Sequence, residues 1–123
     1  MTNTSLEDQL RQERNEIWSR YALAAKEDSL PPDQICHQWS GASDLLLRNA
    51  FSHCFQDQKV ALFALGKLGS SELNLSSDVD LLIVSQDDSV NALPGLRRFQ
   101  KILSERTALG FVFRVDFDLR PGG

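Results

Sequence analysis

Asp78 and Asp80 stand two residues apart at the head of an apolar run that continues to Val84. Side chains on a strand alternate between faces, so both carboxylates project from one face while Val79 and Leu81 point into a core. Two like charges at that spacing repel, and a divalent cation with oxygen ligands is the usual way to offset them. Just upstream lies the loop Gly66-Lys67-Leu68-Gly69-Ser70-Ser71, which closes at Ser76-Ser77. Glycine lets backbone N–H groups approach a phosphate closely, and serine hydroxyls can donate to its oxygens. Lys67 could add positive charge. Farther on, a strand from Phe111 to Leu119 alternates Val115 and Phe117 with Arg114, Asp116 and Asp118. Its polar face offers two more acids, and the pattern does not separate one from the other. Arg114 and Arg120 could contact phosphate, neutralise the acids or form ordinary salt bridges. The acid pair and the glycine loop also have plain structural readings, as a solvated strand start and a turn.

These residues need elements to hold them. Lys59–Leu65 and Val79–Ser85 read as strands on either side of the loop, near-continuously apolar, as in a sheet covered on both faces. Leu6, Leu10, Ile17, Tyr21 and Ala24 recur at helical spacing, predicting a helix from Ser5 to about Asp28. Ser5 is its N-cap, and Pro31-Pro32 ends it. A short helix over Asp33–Gln38 breaks at Ser40-Gly41, and a second long helix runs from Asp44 to about Gln56. Gln86-Asp87-Asp88-Ser89 reads as a polar loop. Pro94-Gly95 opens a further helix to about Thr107, stopped by Gly110. Trp18, Trp39 and the phenylalanines read as core.

Length and charge narrow the function. The chain has 123 residues, one domain's worth, and a net charge of −4 that leaves no basic footprint for nucleic acid. No apolar run approaches the length of a membrane span, and the N-terminus lacks the basic and apolar regions of a signal peptide. Two cysteines, Cys36 and Cys54, fit a reduced, cytoplasmic protein. Cys36-His37 and His53-Cys54 are poor zinc ligands, because adjacent helical residues diverge.

Gly66-Lys67, ten further residues, then Asp78-Val79-Asp80 and an apolar run resembles the signature of nucleotidyltransferases related to DNA polymerase beta. The longer stretch from Gly66 to Val84 (GKLGSSELNLSSDVDLLIV) resembles the glutamine synthetase adenylyltransferase family, which adenylylates and deadenylylates its target. A second block, Phe113 to Pro121, resembles that family's third-carboxylate motif. The resemblance covers Ser40 to Gly123. It implies an α/β (α+β) polymerase-beta-like fold, with a small mixed sheet flanked by helices. It implies that Asp78, Asp80 and Asp116 are catalytic and hold two Mg²⁺, with Asp116 also activating the attacking oxygen. It implies that Gly66, Lys67, Gly69, Ser70, Ser71 and Ser77 bind the phosphates of ATP, or of ADP and phosphate. Three positions depart from the usual pattern: Lys67 for serine, Ser70 for glycine and Asp118 for arginine.

The implied function is transfer of AMP to a tyrosine of glutamine synthetase, or its phosphorolytic removal, in the control of nitrogen assimilation. Arg114 and the wording Glu72-Leu73-Asn74 resemble the N-terminal, AMP-removing domain. The implied partners are glutamine synthetase and, through regions outside this chain, a PII-type signalling protein; no nucleic acid or membrane is expected. The organisation expected is a helical segment over 1–39 and a transferase domain over 40–123, incomplete at its C-terminus. The alternatives are a catalytically inactive fragment or a small stand-alone nucleotidyltransferase acting on another protein. A continuing reading frame after Gly123 would discriminate them.

Overall fold

The computed structural model describes residues 5–55, 59–86 and 89–121. Among the described residues, four helices and three strands follow one another as α1 (Leu6–Lys26), α2 (Pro32–Cys54), β1 (Val60–Leu65), α3 (Gly66–Gly69), β2 (Val79–Ser85), α4 (Ser89–Ser104) and β3 (Val115–Pro121). The strands form one mixed sheet in the order β1-β2-β3. β1 runs antiparallel to β2, and β3 lies parallel on its other side. This is the expected α/β class, a small mixed sheet with helices packed on it.

Amphipathic patterning explains the layers. Along β2, Val79, Leu81 and Ile83 are buried, while Asp80 between them is exposed. The buried side packs against Leu47 and Ala50 of α2 and Phe99 and Leu103 of α4. The opposite side differs from expectation. Phe63 is 50% and Leu65 41% exposed, so among the described residues this face of the sheet is open. An apolar run does not distinguish a strand covered twice from one that shows apolar residues to solvent.

Helix ends diverge from the expectations in instructive ways. α1 begins as predicted, with the Asp8 N–H donating to Ser5 Oγ at 3.2 Å. It ends at Lys26, well before the prolines, because Asp28 takes φ +56 and the N–H groups of Asp28 and Ser29 return to Ala25 and Ala24. That is a Schellman closure with aspartate in place of glycine. Pro31 and Pro32 instead open α2, where a missing N–H costs nothing. α4 begins five residues before Pro94, because Ala92 extends its buried stripe of Phe99, Ile102 and Leu103 toward the N-terminus. It ends at Ser104, and Gly110 lies beyond it, in a turn bridged to Thr107. β3 begins at Val115, four residues later than expected. The expected helix end at Gln56 and the loop residues Asp87 and Asp88 lie outside the described residues.

The expected break at Ser40-Gly41 is absent: α2 is continuous through both residues. Ile35 and Trp39 before the glycine, and Leu46 and Leu47 after it, are all buried and hold the helix in one piece. Nothing lies within 4 Å of where a Gly41 Cβ would stand. Gly41→Ala should therefore stabilise the chain by about 0.5–1 kcal/mol, by removing backbone freedom from the unfolded state. Denaturant titration checks this; a loss of stability would mean that the helix needs the glycine.

Candidate active site

β1 delivers the chain to Gly66, which takes φ +58 and starts the short turn α3. A Cβ on Gly66 would come within 3.0 Å of Asp80 Oδ2, so the absent side chain makes room for that carboxylate. A Cβ on Gly69 would come within 2.6 Å of the Ala64 carbonyl oxygen, so α3 folds back tightly onto β1. Leu68 and Leu73 are buried and fasten the loop to the core.

Two helices hold the loop from outside it. The Leu73 N–H donates to Ser40 Oγ at 2.9 Å, and Ser40 Oγ donates to the Cys36 carbonyl at 2.7 Å. Trp18 Nε1 donates to the Leu75 carbonyl at 2.9 Å. Then Asn74 Oδ1 accepts from the Ser76 N–H and, at 2.6 Å, from Ser77 Oγ. This asparagine-centred turn aims the chain into Asp78 and β2. Ser40, Trp18 and Asn74 escaped sequence reasoning because their partners are tertiary or lie within an irregular loop.

Asp78 and Asp80 are both exposed, flanking buried Val79, as strand alternation predicts. Arg114 Nε meets Asp78 Oδ1 at 2.9 Å, and a second nitrogen of the guanidinium donates to the Ser76 carbonyl at 3.2 Å. The sheet register places the two acids of β3 at different levels along β2. Asp80 is paired with residue 116 of β3, whereas residue 118 is level with Leu82. The side chains of Asp116, Asp118 and Arg120 lie outside the described part of the structure. Asp80 is thus flanked by Leu65 on β1 and by position 116 on β3.

The segment leading to β3 is clamped by α1. The Arg14 guanidinium stacks on Trp18, Trp39 and Phe111, and its Nε donates to the Val112 carbonyl at 3.2 Å. Burial, and then the nearby charge of Arg114, lower the pKa of Arg14.

Other expected residues are placed differently. Ser70 Oγ turns back toward the Gly66 and Lys67 carbonyls, and Ser77 Oγ is committed to Asn74. Ser71 is exposed at φ +61, and Lys67 is exposed on α3. Among the described residues no group of three histidine, cysteine or acidic side chains could hold a metal. His53 Nε2 lies 2.8 Å from an Arg98 nitrogen, and burial pushes the Cys54 thiol up to about 11. A groove of about 350 Å³ between α2 and β1 is lined by Leu62, Ala64 and Leu81, on the face opposite Asp80. The acid pair opens to solvent on the other side.

A family model described as glutamate-ammonia ligase adenylyltransferase matches residues 2–123. The chain belongs to this family. It is similar to the bifunctional glutamine synthetase adenylyltransferase/adenylyl-removing enzyme of Bartonella quintana (strain Toulouse), with 42% identity over 54% of the chain and 8% of that protein. The protein of the same description from Burkholderia mallei (strain ATCC 23344) is 43% identical over 52% of the chain and 8% of its own length. That from Rhizobium meliloti (strain 1021) is 44% identical over 50% of the chain and 7% of its length. The match thus spans less than a tenth of each of these family members. Among the described residues, no helix is long and apolar enough to cross a membrane.

Proposed function

We propose that this chain is a cytoplasmic, Mg²⁺-dependent nucleotidyltransferase segment that acts on an adenylylated tyrosine of glutamine synthetase. The observation that carries the reading is the register of β2 and β3, which sets residue 116 beside Asp80 in a chain of this family. The donor set suits the metal, because carboxylate oxygens are the ligands that magnesium prefers. Two further observations support the fit. The Arg114 guanidinium already stands at Asp78 as a cation in waiting, and the bare Gly66 leaves Asp80 Oδ2 unobstructed on that side.

Asp78, Asp80 and Asp116 would hold two ions. When bound, Mg²⁺ supplies charge stabilisation for the transferring phosphoryl group and alignment for in-line displacement. The chain's own residues do the rest. Gly66 and Gly69 keep the backbone of α3 close to the acids, where exposed Lys67 and Ser71 would meet the phosphates, while the Ser70 and Ser77 hydroxyls, bonded to the Gly66 and Lys67 carbonyls and to Asn74, would hold the loop's shape. Asp116 takes the proton of the attacking oxygen or orients it. In adenylylation, the tyrosyl oxygen attacks the α-phosphorus of ATP and pyrophosphate leaves. In removal, inorganic phosphate attacks the adenylyl phosphorus, ADP forms and the tyrosyl oxygen leaves with a proton. Arg114 and Glu72-Leu73-Asn74 favour the removing reaction. A PII-type regulator would act through regions outside this chain.

The test places this chain in the matched segment of one of the longer relatives. Adenylylated glutamine synthetase, inorganic phosphate and Mg²⁺ are supplied, and ADP is measured. Metal-dependent release supports the proposal. Adenylylation without release would move the chain to the opposite half-reaction, and neither activity would overturn it.

A further inference from the structure

We infer that Arg114 is a built-in competitor for the metal, occupying Asp78 until a divalent cation displaces it and so setting the cation affinity of the site. The inference rests on the metal reading above and adds the residue that regulates it.

Arg114 grips at two points, Asp78 Oδ1 at 2.9 Å and the Ser76 carbonyl at 3.2 Å. Its backbone is locked, because its carbonyl accepts the Val79 N–H at 3.0 Å. Its side chain is not locked: it is 60% exposed, and that of Asp78 is 49% exposed. Exposed ion pairs of this kind are weak enough to be exchanged. A cation on the Asp78 carboxylate would face the guanidinium at contact distance. Arginine cannot relieve that repulsion by losing its proton, so it must move.

The space on the α1 side of Arg114 is small. The cavity behind Arg114, lined by Arg14, Trp39 and Phe113, has a volume of about 30 Å³. That is room for about one water and not for a guanidinium. Arg14 adds a like charge on that side. Arg114 therefore swings outward, over the open approach to the acids.

Calorimetric titration of the chain with Mn²⁺ tests this, using wild type, Arg114→Gln, Arg114→Lys and, as a control of equal charge change on α4, Arg97→Gln. Losing an exposed pair should tighten Mn²⁺ binding by Arg114→Gln about two- to fivefold at low salt. The gain should shrink as salt screens the pair. Arg114→Lys keeps the charge without the two-point grip and should fall between glutamine and wild type. Arg97→Gln should match wild type. Thermal melts confirm that each variant is folded. Mn²⁺ binding that is unchanged in both Arg114 variants, or weaker as expected if Arg114 orients Asp78, would overturn the inference while leaving the metal site standing. No Mn²⁺ binding by any of the four proteins would overturn both.

Discussion

Replacing Gly69 with alanine should destabilise the chain by about 3 kcal/mol. The new Cβ would stand 2.6 Å from the Ala64 carbonyl oxygen, a backbone atom that cannot rotate aside as a side-chain end could. Relief requires α3 to lift from β1. That lift would pull Leu68 out of the core and carry Gly66 away from Asp80. A fall in Tm on the order of 10 °C is expected for a domain of this size. Gly41→Ala is the internal comparison, since it adds the same methyl group to open space and should raise Tm. Thermal or denaturant melts of the two variants decide the matter. Equal stability of both would mean that the close approach of α3 to β1 does not exist in solution.

The second large effect concerns the acids of β3. Asp116→Asn, in the enzyme context used for ADP release, should slow that release by on the order of 10²–10⁴-fold, as expected for loss of a catalytic base. Asp118→Asn should do far less, because residue 118 is level with Leu82 and one pleat repeat away from Asp80. Both substitutions remove one charge, so the comparison separates position from net charge. An equal loss in the two variants would place the third acid wrongly.

The contrast between these two acids shows what the chain's pattern could convey. Alternation along one strand is a local property, and it correctly puts Asp78 and Asp80 opposite buried Val79 and Leu81. Register between strands is not local. Both Asp116 and Asp118 fit the polar face of β3; the family resemblance picks Asp116, and the pairing with β2 sets residue 116 level with Asp80. The same limit explains Ser40. In isolation Ser40-Gly41 is a helix-breaking pair, yet Ser40 is held in α2 by a hydrogen bond to Leu73, distant in sequence. Arg114 was legible as a charge near the acids, but its partner was not. Its choice of Asp78 depends on how Asn74 folds the loop and on how Arg14 clamps the approach to β3. The open sheet face with Phe63 and Leu65 was missed because an apolar strand says nothing about what covers it.

If Asp78, Asp80 and residue 116 share a divalent cation, backbone-amide NMR with Mn²⁺ will show it. Substoichiometric Mn²⁺ should broaden first the amides of Gly66, Val79, Asp80 and Asp116, which the turn at Gly66 and the β2–β3 register bring together. Asp78→Asn combined with Asp80→Asn should abolish that broadening. It should leave Tm nearly unchanged, because relief of the acids' mutual repulsion offsets loss of the exposed Arg114–Asp78 pair. Broadening that persists in the double variant, or that centres on acids away from β2 and β3 in the wild type, would contradict the account.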